Sequence, residues 1–347
     1  MSHVGRMVAP LLILVAQVFA QRGHEFRIDP QAQAMLDKMS ASGAVASVAT
    51  PKDVMQARAA YSALRAFEGH AEAVWKVENR LIPGPGGSLP IRIYKPHDGG
   101  ALPVLVYFHG GIFTTGSLET HDIPLRALAN ASGCLIVSVA YRLAPEYKFP
   151  AAPEDAYAAT KWVSEHATEI GGDAARIAVG GDGAGGNLAA VVALMARDRK
   201  GPSLRYQVLI YPITSAAMQT VSWWDFANGP VLNREGMLFH LGRYMNVTTG
   251  IRDPYLSPLA ATNLENLPPA LVITAEYDPL RDEGESYAHE LKDSGVTVTV
   301  SQYKGMVHGF FQMEGALDAG RKCLVEIADS LKKAIGAGIG EASGGSR

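Results

Sequence analysis

From about Pro90 onward, short apolar runs bounded by Gly, Pro or polar residues alternate with stretches of helical patterning. The runs are Val104–Phe108, Leu135–Ala140, Ile177–Gly180, Val208–Tyr211, Leu271–Thr274 and Val296–Tyr303. Helical periodicity covers Leu125–Ala131, Ala156–Ala167, Leu188–Arg197 and Glu283–Leu291, and Leu324–Ile335 follows the last run. Strands that take turns with helices pair in parallel, because each helix carries the chain back to the starting edge. Runs that are apolar at nearly every position are buried on both faces. The chain is therefore predicted to be α/β, with a mostly parallel sheet flanked by helices. Ahead of it, Trp75–Glu78 and Ile91–Tyr94 read as an antiparallel hairpin around the turn cluster Pro83–Gly87.

A length of 347 residues suits one large domain of this class. A net charge of −3 leaves neither a basic stripe for nucleic acid nor an acidic tail, so no nucleic-acid partner is expected. The two cysteines, Cys134 and Cys323, sit in a strand-like and a helix-like run, and no Cys/His spacing resembles a metal site.

Four segments follow. Residues 1–22 hold Arg6 and an uncharged, largely apolar run from Met7 to Ala20, a pattern that reads as a secretory signal cut near Val18-Phe19-Ala20. A cleaved signal makes the protein secreted or periplasmic; the alternative, an uncut amphipathic helix, leaves it cytoplasmic. The run is too short for an integral membrane span. Residues 23–75 are predicted to form a helical cap, with Pro30 near a helix start and Met35, Leu36 and Met39 on one face. Residues 76–336 form the α/β domain, within which 214–256 shows no strand signal and adds to the cap. The Gly/Ser-rich end, 337–347, reads as disordered.

Four blocks carry chemistry. Gly181-Asp182-Gly183-Ala184-Gly185-Gly186-Asn187 lies between a strand and a helix, the setting of a nucleophile elbow. There a sharp turn exposes one side chain, here that of position 183, and the next N–H, of Ala184, faces a developing oxyanion. His109-Gly110-Gly111-Ile112-Phe113 follows a buried strand and offers further backbone donors. Asp278 follows a strand in Asp278-Pro279-Leu280-Arg281, and His308 follows the last strand in Val307-His308-Gly309-Phe310. Asp282 and Glu283 compete with Asp278 as the acid. The order nucleophile position, acid, base is that of α/β hydrolases. Gly181-x-Gly183-x-x-Gly186 also matches a dinucleotide fingerprint, but no acid closes the following strand, Val208–Tyr211.

Together with Tyr141-Arg142-Leu143-Ala144-Pro145-Glu146 and Phe149-Pro150-Ala151-Ala152-Pro153-Glu154-Asp155, these blocks make the chain resemble the hormone-sensitive lipase family of esterases (bacterial family IV) from about Phe26 to Ile335. The resemblance implies an α/β-hydrolase fold with an eight-stranded sheet and an N-terminal helical cap. It implies a cofactor-free carboxylic ester hydrolase acting on a small-molecule ester, with Asp278 orienting the base His308. Gly110, Gly111, Ile112 and Ala184 are the oxyanion-hole candidates. It also makes pairing into a homodimer through the last strand and helix an expectation.

Two departures stand out. The family carries Ser at position 183, where this chain has Gly, and a third Gly where it has Ile112. Without an attacking oxygen the chain is expected to be inactive or very weak as written; Ile112 is expected to alter acyl selectivity. The rival expectation is a non-catalytic small-molecule binder on the same scaffold. Phe113, Asp182, Trp223, Trp224 and Phe226 are the candidate pocket walls. His109 is read as a holder of the oxyanion loop, and Arg142, Glu146 and Asp155 as a buried polar network near the entry.

Overall fold

The computed structural model describes residues 27–41 and 50–336; the segments read as a signal and as a disordered tail lie outside them. Eight strands form one sheet: β1 (Lys76–Gly84), β2 (Gly87–Lys95), β3 (Leu102–Phe108), β4 (Leu135–Val139), β5 (Gly172–Asp182), β6 (Tyr206–Ile210), β7 (Ala270–Tyr277) and β8 (Val298–Val307). Their order is β1-β2-β4-β3-β5-β6-β7-β8. The β1–β2 and β2–β4 pairs are antiparallel, and all others are parallel.

The period of two within each strand divides the interior into two cores. Val104, Val106 and Phe108 of β3 face one core, which they share with Val163, Leu188 and Leu291. Leu105 and Tyr107 face the other, with Leu125, Leu128 and Ile327. Both faces need helical cover, which is why β3, β4 and β6 are buried at every residue.

The helices are α1 (Pro30–Ala41), α2 (Val54–Ala63), α3 (Asp122–Ser132), α4 (Ala151–Ile170), α5 (Ala184–Asp198), α6 (Ser222–Asp225), α7 (Arg234–Tyr244), α8 (Arg281–Asp293) and α9 (Asp318–Leu331). Helix α1 begins at Pro30 and buries Met35, Leu36 and Met39 on one face, as its spacing predicts. Asp53 starts α2 by accepting the Gln56 N–H. No helix among the described residues is long and apolar enough to cross a membrane.

Most elements run past the apolar stretches that signal them. β5 begins at Gly172 rather than Ile177, because Gly172 already pairs with Leu102 ahead of an irregular, partly solvated stretch that carries no apolar signal. The hairpin strands reach Gly84 and Gly87, so Pro83 and Gly84 belong to a strand and the turn shrinks to Pro85-Gly86. Tyr211 lies beyond β6, with a positive φ of 34°.

Register is what assembles the site. Phe108 pairs with Gly181, so the loop after β3 lies beside the turn after β5. Tyr277 pairs with Val307 beyond a bulge, so the next residues, Asp278 and His308, become neighbours although 30 positions apart.

Candidate active site

The turn from β5 into α5 is built on glycine for two reasons. A Cβ at Gly181 or Gly185 would collide with the Phe108 carbonyl, so the turn packs against the end of β3 only without side chains. Gly183 itself adopts φ 54° and ψ −111°, a region costly for other residues. Its backbone is pinned on both sides. The N–H donates to the Ile210 carbonyl (2.9 Å), and its carbonyl accepts from Asn187 N (3.0 Å) and Ile213 N (3.1 Å).

Position 183 faces the imidazole of His308. An ideal Cβ there would lie 3.6 Å from Nε2 and 3.7 Å from Cε1. On its other side the ring places Nδ1 2.8 Å from Asp278 Oδ2. Asp278 is fully buried, and its second oxygen accepts the Leu280 N–H (2.9 Å). The two rival acids are engaged elsewhere. Asp282 accepts the Ser222 N–H, and Glu283 accepts the Trp223 indole N–H and the N–H groups of Thr214 and Ser215.

The loop after β3 hangs on Asp182. This buried carboxylate accepts the Tyr107 hydroxyl (2.8 Å) and the Gly110 N–H (3.0 Å), and lies 2.9 Å from His121 Nε2. Burial alone would raise the Asp182 carboxyl; the neighbouring His121 ring and Tyr107 hydroxyl outweigh it and hold the group below its usual value. Asp182 is therefore an anchor on the rim of the cavity. The Gly110 N–H is spent on that anchor, so it drops out of the oxyanion-hole candidates. Among the described residues, the N–H groups of Gly111, Ile112 and Ala184 take no hydrogen-bond acceptor.

Gly111 accepts from Thr114 N and Thr115 N, closing a tight turn that carries Ile112 to φ 50° and Phe113 to φ 61°. Left-handed backbone at a β-branched residue is strained, and neighbours must hold it. Phe113 is buried with its ring stacked on Tyr244 at 4.0 Å, and its carbonyl accepts the Ala144 N–H (2.9 Å). His109 bonds the Gly110 carbonyl through Nδ1 (2.8 Å) and stacks on Tyr141; burial pushes its ring down to about 4, so it stays neutral. It fits the loop-holding part read from the sequence.

These groups open into one cavity of about 50 Å³, space for a few water-sized groups. Its apolar walls include Ile112, Ile213, Leu232 and Leu280, and α2 contributes Ala57 and Tyr61. His240 and Gln312 supply polar edges.

Four expected walls are not on this cavity. Trp223 is wholly buried, because its indole N–H must reach Glu283. Trp224 is 63% exposed under the Arg234 guanidinium. Phe226 packs edge-on to Tyr277, and Phe113 is turned into the core against Tyr244. The segment marked by aromatic residues without strand signal reaches the cavity through other side chains. The lining from this region comes from Val231, Leu232, Asn233, Gly236 and His240, whose sequence carries no distinctive pattern. The expected polar network also divides. Arg142 pairs with buried Asp155 (2.8 Å), whereas Glu146 is exposed and pairs with Arg58.

The sequence profile of the α/β-hydrolase fold matches residues 105–312, the span that holds the turn after the fifth strand and the Asp278–His308 contact beyond the seventh and eighth. The chain belongs to the α/β-hydrolase family. The blocks behind the resemblance to hormone-sensitive lipase esterases lie within the matched span. The chain is 42% identical to the carboxylic ester hydrolase LipN of Mycobacterium tuberculosis over 337 residues, covering 93% of this chain and 89% of that one. It is 40% identical to the carboxylesterase NlhH of the same organism, covering 75% and 83%. An esterase of Pyrobaculum calidifontis superposes with a TM-score of 0.82 at 44% identity, covering 88% of this chain and 98% of that one. A serine-to-alanine variant of an α/β hydrolase from the Lake Arreo metagenome superposes at 0.85 and 38% identity, covering 90% and 100%.

Proposed function

We propose that this α/β hydrolase is a carboxylic ester hydrolase scaffold whose nucleophile position is residue 183, left without an attacking oxygen by Gly. In the serine form, His308 takes the hydroxyl proton, Asp278 orients the ring, and the N–H groups of Gly111, Ile112 and Ala184 hold the oxyanion. Helices α1 and α2, with segment 214–256, cap the pocket.

One observation carries the reading: among the described residues, chain neighbours aside, the Cβ direction of residue 183 meets only the His308 imidazole. Take the 3.6 Å from that Cβ to Nε2. With a C–O bond of ~1.4 Å and a hydrogen bond of ~2.8 Å, the C–O···N angle comes to roughly 110°, an unstrained direction for a hydroxyl donor. A serine hydroxyl is thus accommodated without moving the base. The relatives' names support an ester as substrate, and the small cavity with apolar walls favours short or medium acyl chains or aryl esters.

The test is hydrolysis of 4-nitrophenyl acetate by the chain and by Gly183→Ser. Loss of the nucleophile alone costs a serine hydrolase about a millionfold in turnover, so the serine variant should gain on the order of 10⁴- to 10⁶-fold in kcat. Equal rates would mean that position 183 is not the nucleophile's place. The missing hydroxyl also favours a second reading, a small-molecule binding protein on the same scaffold. Tight binding of one ligand, with no hydrolysis gained by Gly183→Ser, would select it.

A further inference from the structure

The glycines around the elbow are not equivalent. A Cβ at Gly110 would run into Asp182, at Gly111 into Thr115, and at Gly181 or Gly185 into the end of β3; at Gly186 it would press on Pro212 at 3.0 Å. Those five glycines leave no space. At Gly183, chain neighbours aside, a Cβ would find nothing but His308 within 4 Å among the described residues. The turn therefore holds one hollow of side-chain size. Its floor is the Gly183 Cα and one wall is the imidazole, whose Nε2 takes no hydrogen-bond partner among the described residues. It opens into the cavity beside Ile112, Ile213 and Leu280.

We propose that this hollow binds a small aliphatic alcohol and that the chain transfers an acyl group from an ester directly to it. The proposal rests on the reading that residue 183 marks the nucleophile's place. A free molecule stops at van der Waals contact with Gly183 Cα, ~3.5 Å instead of a bond length, which shifts it outward toward the acyl carbon. The alcohol oxygen bonds to the acyl carbon while its proton passes to His308 Nε2. The bond from the acyl carbon to the old ester oxygen then breaks, and Nε2 returns the proton to that oxygen. One ester and one alcohol are consumed, one of each is formed, and no oxidant or reductant takes part.

Water enters the same hollow and yields hydrolysis. An alcohol places carbon against the apolar walls as well, and each buried methylene favours it over water by roughly fourfold. No acyl-enzyme forms, so alcohol and ester must be bound together. A serine enzyme instead releases the first alcohol before the second reacts.

The experiment uses the full chain with 4-nitrophenyl acetate and increasing methanol, ethanol or propan-2-ol, following nitrophenol by absorbance and alkyl acetate by gas chromatography. Methanol or ethanol should accelerate nitrophenol release saturably, by ~10-fold or more, with alkyl acetate formed in matching amount. Double-reciprocal plots should intersect for the chain and run parallel for Gly183→Ser. Gly183→Ala, which fills the hollow, and His308→Asn, which removes the base, should each abolish the alcohol dependence, with circular dichroism confirming that both are folded. Acceleration that survives Gly183→Ala overturns the proposal, as does alkyl acetate formed no faster than with equimolar imidazole. If Gly183→Ser hydrolyses ester but the parent ignores alcohol, this inference fails and the hydrolase reading stands. If Gly183→Ser is itself inactive, the reading beneath it fails.

Discussion

Ile112 holds a left-handed backbone angle with a branched Cβ, at a position where related esterases are expected to carry glycine. Its N–H is one of the proposed oxyanion donors, and its side chain sits on the cavity wall against the main core. The extra carbons therefore occupy space that an acyl chain would use. In the Gly183→Ser background, Ile112→Gly should raise kcat/KM for butyrate or hexanoate relative to acetate esters. The expected shift is on the order of 10- to 100-fold, the range for one or two methylenes in a closed pocket. An unchanged chain-length profile would remove Ile112 from the acyl site. Gly183 is the contrasting case: the angle is strained for a side chain, so glycine relaxes the turn, and on the function proposed above it also leaves out the attacking oxygen.

Loops at strand ends carry the site, and the element that closes it comes from far upstream. Helix α2 lends Ala57 and Tyr61 to the cavity, and one residue between them fastens it down. Arg58 donates from Nε to the Thr114 carbonyl (2.9 Å) and from Nη2 to the Ala144 carbonyl (3.1 Å), and it makes a two-pronged pair with Glu146. Two of these partners flank the strained loop that begins at Gly110, so Arg58 ties helix α2 to the loop that carries the proposed oxyanion donors. The ion pair is exposed and worth little by itself; the carbonyl contacts do the positioning. Arg58→Ala in the Gly183→Ser background should raise KM several-fold and lower kcat, with a small change in Tm. A variant that loses stability but keeps its kinetics would show that α2 is only packing. Legibility at this scale was uneven. Helical spacing over 25–70 marked helices here, yet nothing local to Arg58 names partners 56 to 88 residues away.

At the scale of the molecule, two carboxylates are buried where the chain passes from the cap to the segment after His308. Glu68 is 2% exposed with Oε2 lacking a hydrogen-bond partner, and the adjoining strand of chain is tied down by Gly315 N donating to the Phe67 carbonyl. Burial pushes the Glu68 carboxyl up to about 8 and the Glu314 carboxyl up to about 7. Both groups bind a proton in the folded state at pH values where the unfolded chain has released it. Their contribution to stability is thus complete below about pH 4.5 and is lost as pH rises toward 8. Glu68→Gln stays uncharged, so its fall in Tm between pH 5 and 8 should be shallower than that of the parent chain. Identical slopes in thermal melts would refute this account.

Local pattern alone determined the class of fold and the sequence of elements, and it singled out His109, Gly183, Asp278 and His308 as candidates, because burial on two faces, sharp turns and strand ends each leave a short-range mark. Tertiary structure decided which donors are free, which walls surround the substrate and what fastens the cap. Gly110 and Ile112 look alike from the sequence as backbone donors; only the fold brings Asp182 within 3.0 Å of one and leaves the other open. Trp224 and Tyr61 are both aromatic residues in segments read from the sequence as cap, and packing sent the first to solvent and the second into the cavity. The reason is physical: periodicity records how much of a residue is covered, whereas a pocket depends on what covers it, and that partner lies elsewhere in the chain.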